Sequence, residues 1–196
     1  MSEVFYPFQF PVYYGPLDNS TFDLLKKDVL QYINQNYDHF HKPWNCNTKS
    51  SYNIDLKNSF KNNLLEKIIY KIFSDYCNYW EFETIPNLSI EGYWVNIAKK
   101  DQFQETHAHI DFEKRNVFSG VIYINIPEDS GNLILENPLN LESYLTPNST
   151  KFSKDVIVTP QEKLFIIFPS WLKHLVGVNN SNQNRISISF NIKLKT

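Results

Sequence analysis

Arg185-Ile186-Ser187-Ile188-Ser189-Phe190-Asn191-Ile192-Lys193-Leu194 decides the fold class. Apolar and polar residues alternate along it with the two-residue period of a strand. Ile186, Ile188, Phe190 and Ile192 share one face, and Arg185, Ser187, Ser189 and Asn191 share the other. Working back along the chain, similar short runs recur. They cover Leu88 to Ala98, Val117 to Ile126 before Pro127, Gly131 to Glu136 before Asn137-Pro138, and Lys163 to Phe168 before Pro169. Many short strands separated by turn residues predict a sandwich or barrel-like jelly roll.

The first half has a different texture. Ser20-x-x-Asp23 reads as a capping signal, and Phe22, Leu25, Val29 and Ile33 follow as a helical stripe. Phe60, Leu64, Ile68, Ile72 and Tyr76 recur every fourth residue and predict a second amphipathic helix over 57–78. Before them, Phe5, Tyr6, Phe8, Phe10, Tyr13 and Tyr14 stand among Pro7, Pro11 and Pro16, which suits an edge strand or extended arm. Helices followed by strands imply helices packed on the outside of one sheet. The expected organisation is mainly β with flanking helices, in a single domain over 1–196. Residues 1–87 would form an arm and two supporting helices, and 88–196 the jelly-roll core.

With 196 residues and 42% hydrophobic content, the chain can bury one core. Its formal net charge of -2 and the lack of a Lys/Arg run give no electrostatic footprint for nucleic acid. No apolar run reaches membrane-spanning length, and Met1 to Phe5 lacks a basic region before an apolar core. Cys46 and Cys77 have no metal-site spacing and read as free, reduced thiols. The expected location is the cytoplasm.

The chemistry concentrates in Glu105-Thr106-His107-Ala108-His109-Ile110-Asp111. In an extended segment, His107, His109 and Asp111 share one face. Imidazole and carboxylate ligands together suit a divalent first-row metal such as iron. His174 follows 65 residues after His109 (174 − 109) and could close a facial triad across a jelly roll. Arg185 comes 11 residues later (185 − 174), with Ser187 next on its face. A guanidinium is the preferred group for gripping a carboxylate through two bonds. His39 and His41 form another H-x-H, but Asp38-His39-Phe40-His41-Lys42-Pro43 reads as a surface loop. Trp171 reads as a packing residue under His174, and Ser119-Gly120 as a point of close strand approach.

An H-x-ligand pair, a distal His, then Arg and a hydroxyl residue two further on resembles the order found in Fe(II)/2-oxoglutarate-dependent oxygenases. The closer resemblance is to oxygenases of this superfamily from cyanobacteria, marine bacteria and their phages. Trp94-Val95-Asn96, Gln104 to His109, Ser119 to Tyr123, Phe168 to His174 and Asn184 to Asn191 carry it. It covers residues 90–193 strongly, and Phe10 to Leu25 and the second helix more weakly. The resemblance implies a cupin-like double-stranded β-helix, bound Fe(II), and 2-oxoglutarate as cosubstrate. It further implies hydroxylation of an unidentified substrate, releasing succinate and CO2, in the host's cytoplasm if the gene is phage-borne.

Most of that superfamily has H-x-D. Here two ligand sets stay open: His107, His109 and His174, or His109, Asp111 and His174. The spacing from His107 to Ser119 through Tyr123 resembles that of prolyl hydroxylases and favours the first. The resemblance also implies Tyr123 at the far carboxylate of 2-oxoglutarate, and Asn96 and Gln104 facing the cosubstrate. Two rival readings are a three-histidine cupin-type dioxygenase needing no cosubstrate and a non-catalytic jelly-roll binding or structural protein. Substrate and oligomeric state are not legible.

Overall fold

The structure is a computed structural model and describes residues 10–43, 47–56, 59–80, 87–111, 113–138 and 155–195. In chain order these form β1 (Tyr13–Pro16), α1 (Asn19–Asn36), β2 (Lys49–Ser50), α2 (Leu64–Trp80), β3 (Leu88–Ala98) and β4 (Gln104–His107). β5 (Asn116–Asn125), β6 (Leu133–Leu135), β7 (Val156–Val158), β8 (Leu164–Pro169), β9 (His174–Val176) and β10 (Arg185–Leu194) complete it. A major six-stranded sheet has the order β1-β8-β5-β10-β3-β2, and a minor four-stranded sheet the order β4-β9-β6-β7. Every pairing is antiparallel. The minor sheet lies over the inner face of the major one, the two-sheet jelly roll of a double-stranded β-helix.

β10 sits at the centre of the major sheet, between β3 and β5. Its alternation separates the two cores. Ile186, Ile188, Phe190 and Ile192 pack outward with Phe22, Leu25 and Val29 of α1 and Leu65, Ile69, Ile72 and Tyr76 of α2. Tyr123, Ile166 and Phe168 point inward and meet Leu133, Leu135 and Val176 of the minor sheet. Each fully buried Leu or Ile contributes roughly 1.5–3 kcal/mol. The outer core therefore fixes the sheet whose inner face carries the polar row Arg185, Ser187, Ser189 and Asn191, all buried. Gly120 is required by close approach, as expected: an added Cβ would lie 2.2 Å from Phe190 Cζ and 2.8 Å from Ile166 O.

Several local expectations are corrected. The cap of α1 is Asp18, whose Oδ1 accepts Thr21 N–H at 2.9 Å, while Ser20 Oγ donates to the same oxygen at 2.7 Å. A carboxylate accepts both donors, so Ser20 is recruited to the cap rather than forming it. α2 begins at Leu64 and not near 57, because Asn62 and Asn63 take left-handed φ of 54° and 53°. Residues 57 and 58 lie outside the described residues. β1 pairs with β8 and β2 with β3. The first half thus supplies both edges of the major sheet. Tyr13 and Tyr14 are in β1, while Phe5, Tyr6, Phe8 and Cys46 lie outside the described residues. Cys77 is free and buried, and burial pushes its thiol up to about 11. Among the described residues no helix is long and apolar enough to cross a membrane.

Candidate metal centre

β4 and β9 are neighbours in the minor sheet, and their pairing sets His107 directly opposite His174. Their ring centroids are 4.3 Å apart. β4 ends at His107, so the extended period that would have aligned His109 and Asp111 stops there. His109 nevertheless reaches the same point, with its ring 5.2 Å from His107 and 5.1 Å from His174. Its backbone N–H donates to Ser170 O at 2.9 Å, which ties the turn after β4 to the end of β8. One ligand nitrogen from each histidine lies within 4.8 Å of the others. Asp111 stays outside this group. Its Oδ1 instead accepts Glu113 N–H at 3.0 Å and Lys114 N–H at 2.8 Å, closing the next turn. His39 and His41 are exposed and also lie outside it; His41 bridges to Ser50.

The three rings share one hydrogen-bonding pattern. Nδ1 of His107 contacts Glu105 O at 2.7 Å, Nδ1 of His174 contacts Leu172 O at 2.9 Å, and Nδ1 of His109 contacts Asn191 Oδ1 at 2.7 Å. Each acceptor takes the Nδ1 proton, so the lone pair of each neutral ring is on Nε2. Burial keeps the rings neutral. It lowers His107, brings His109 to about 4 with help from His107, and puts His174 well below the ordinary range. Three converging neutral imidazoles match the donor set of a divalent iron.

Behind the histidines, Ser187 of β10 is in register with Asn96 on β3 and Tyr123 on β5. Arg185, only 3% exposed, holds its guanidinium 5.4 Å from the Tyr123 ring centroid. Arg185 Nε, Tyr123 hydroxyl and Asn96 Oδ1 are buried without hydrogen-bond partners among the described residues. Burial lowers the Arg185 guanidinium from its usual value and pushes the Tyr123 hydroxyl up to about 12. A buried charge with no anion is costly, and a carboxylate delivered by a ligand removes that cost. The Arg185 guanidinium and the Tyr123 hydroxyl, both donors, therefore fit the end of a dicarboxylic acid, whereas Asn96 Oδ1 is an acceptor whose amide nitrogen already donates to Ser189 Oγ at 3.0 Å.

The mouth of the site was not visible from sequence. A cavity of about 230 Å³ opens beside His107 and His109, against Tyr52, Trp94, Lys114, Asn116 and Asn191. Tyr52 meets Trp94 edge-on at 5.1 Å, and Trp94 lies 5.6 Å from the His109 ring. Lys114 Nζ pairs with Glu91 at 3.1 Å on the rim. Trp171 is 44% exposed and packs edge-on against Phe10, not beneath His174; Phe168 holds that place at 4.9 Å. Gln104, also expected near the cosubstrate, lines the narrow space behind the histidines with Trp94 and Ser189.

Comparison with known proteins follows the same lines. The structure resembles a prolyl-4-hydroxylase from Pseudomonas putida, with TM-score 0.65 and 12% identity over 95% of this chain and 94% of that one. It also resembles a viral collagen prolyl hydroxylase of Paramecium bursaria Chlorella virus-1, with TM-score 0.60 and 14% identity over 94% and 96%. A third is HygX from Streptomyces hygroscopicus, solved with nickel and 2-oxoglutarate, with TM-score 0.63 and 9% identity over 95% and 84%. At these identities the likeness establishes the double-stranded β-helix fold. No curated protein matches the sequence. The model of a family described as "Putative 2OG-Fe(II) oxygenase" matches residues 92–191, which hold β3 from Gly92 on, all three clustered histidines and the polar row of β10. The chain belongs to this family of 2OG-Fe(II) oxygenases, enzymes that use Fe(II) and 2-oxoglutarate.

Proposed function

We propose that His107, His109 and His174 hold the iron of this oxygenase, and that Arg185 receives the far carboxylate of 2-oxoglutarate. Ser187, Tyr123 and Asn96 complete that pocket. The observation that carries the reading is the cluster of three imidazoles, each Nδ1 engaged in a hydrogen bond and one ligand nitrogen of each within 4.8 Å of the others. Asp111 serves the turn after the site, and its two backbone bonds account for its carboxylate without a metal.

The iron and 2-oxoglutarate, once bound, supply the oxidising chemistry and yield succinate and CO2. The chain's residues do the positioning. Arg185 offers a buried cation whose desolvation is already spent, and Tyr123, kept protonated by burial, can donate beside it. Phe168, Leu133 and Val176 line the inner side of the histidines and keep water from the bond-forming region. The prime substrate enters through the cavity at Tyr52, Trp94 and Lys114. The chain acts as one domain, in which the N-terminal segments complete the sheet.

The test is anaerobic Fe(II) loading of the wild type and of alanine variants at 107, 109, 111 and 174. Oxygen is then admitted and succinate is measured with 2-oxoglutarate but no prime substrate. Slow succinate release in wild type and Asp111→Ala, and none in the three histidine variants, is expected. A histidine variant that binds iron and turns over normally removes that residue from the ligand set.

A further inference from the structure

The three histidines are not secured in the same way. His107 and His174 direct Nδ1 at main-chain carbonyls two residues back, Glu105 O and Leu172 O. A carbonyl can only accept, so those rings have their tautomer set by their own backbone. His109 lies past the end of β4 and directs Nδ1 at a side chain on another sheet, Asn191 Oδ1 at 2.7 Å. Asn191 is 5% exposed and sits on the inward face of β10. Its Oδ1 also accepts Ser119 Oγ–H at 2.8 Å, and Ser119 Oγ is 2.8 Å from Ser170 Oγ. With the Ser119 proton committed to Asn191, the Ser170 hydroxyl donates to Ser119. Ser170 thus holds His109 twice: its carbonyl takes the His109 backbone N–H, and its hydroxyl ends the chain that reaches the ring.

We infer that Asn191 is the positioning residue for His109, holding the ring in its Nδ1–H tautomer so that the lone pair on Nε2 faces the other two histidines. The inference rests on His109 being a ligand. Two hydroxyl or imidazole donors converge on one amide oxygen, so the position requires an acceptor. Asn191 does not touch the metal position; it acts through the ring. A side chain that cannot accept frees the ring to turn or to carry its proton on Nε2, where it blocks coordination. Aspartate in its place accepts both donors and adds a negative charge one hydrogen bond away from a site otherwise built from neutral ligands.

The experiment compares wild type, Asn191→Leu, Asn191→Asp, Ser119→Ala and His109→Ala as full-length protein. Co(II) affinity is measured by titration, and the His109 tautomer by long-range ¹H–¹⁵N correlation on metal-free and Zn(II)-loaded samples. Wild type should show Nδ1–H at His109 already without metal. Asn191→Leu should lose roughly 10- to 100-fold in Co(II) affinity, Ser119→Ala less, and Asn191→Asp should match or exceed wild type. Rescue by aspartate separates positioning from mere packing, since Leu and Asp share the same number of side-chain heavy atoms and the same branch at Cγ. Equal losses in Asn191→Leu and Asn191→Asp, or an Nε2–H tautomer in metal-free wild type, overturn the inference. If His109→Ala binds Co(II) as wild type does, the ligand assignment itself falls, and the role of Asn191 with it. If His109→Ala loses Co(II) while Asn191→Leu keeps both affinity and tautomer, only the inference fails.

Discussion

Replacing Arg185 gives opposite results in the presence and absence of cosubstrate. Arg185 is 3% exposed, its Nε has no hydrogen-bond partner among the described residues, and none of the ion pairs there includes it. A buried polar group left unsatisfied costs about 1–3 kcal/mol. Arg185→Met removes that group and keeps much of its volume, so the cosubstrate-free protein should become more stable by a similar amount. The same variant should lose the stabilisation that ligand provides, which for wild type is about 2.7 kcal/mol at a hundredfold excess over Kd. Arg185→Lys keeps the charge but not the fork. Losing a charge-assisted bond of about 1.5–3 kcal/mol should weaken 2-oxoglutarate binding roughly 10- to 150-fold, with Fe(II) affinity unchanged. Urea unfolding with and without 2-oxoglutarate reads the first pair of effects. Titration of the Fe(II)–2-oxoglutarate absorption band reads the last. If Arg185→Met destabilises the free protein, or Arg185→Lys binds 2-oxoglutarate as wild type does, the reasoning from the unsatisfied Nε is refuted.

Metal analysis after anaerobic Fe(II) loading should show full occupancy in Asp111→Ala and in a His39→Gln/His41→Gln double variant. It should show loss in His107→Ala and His174→Ala. Gly120→Ala forces a methyl against Phe190 and the Ile166 carbonyl, and should lower stability by about 1–3 kcal/mol in urea unfolding. Asp18 is held at about 2 by Ser20 Oγ and the Thr21 amide, below its ordinary 3.8. A lowered acid stabilises the fold above its ordinary value and ceases to as pH falls through the folded one. The urea midpoint of Asp18→Ala should therefore trail wild type at pH 7, with the gap closing between pH 4 and pH 2.

Legibility followed burial. β10 turns an apolar face to the helices and a polar face to the site, and the two helices each turn an apolar stripe to the sheet; such a division writes a period into sequence. The three-residue strands β7 and β9 and the two-residue β2 are too short to carry one, whereas β6, equally short, is marked by the Asn137-Pro138 turn after it. They exist because a neighbour's backbone templates them. His107, His109 and His174 could be picked out because metal-ligand chemistry narrows the residue type. The strand argument that first grouped them was incomplete, however: β4 stops at His107, and a backbone bond from Ser170 brings His109 back. Asn191 was visible as the last polar residue on the Arg185 face, but its partner His109 is 82 positions away in sequence and only the fold brings them into contact. The cavity wall at Tyr52 and Lys114 is likewise a product of loop packing and has no local signature.

His107 and His174 occupy the same rung of the β4–β9 ladder, and β4 is the outermost strand of the minor sheet. On the proposed ligand set, an ion at this position acts as a clasp across that rung, and through His109 and Asn191 it reaches β10 in the opposite sheet. The border of the minor sheet, already paired along the β4–β9 ladder, is then fastened more tightly in the loaded protein. Amide exchange along 104–109 should slow on loading, while exchange in the helices stays nearly constant. Metal content would thus govern how tightly the mouth of the barrel is held shut, independent of any turnover.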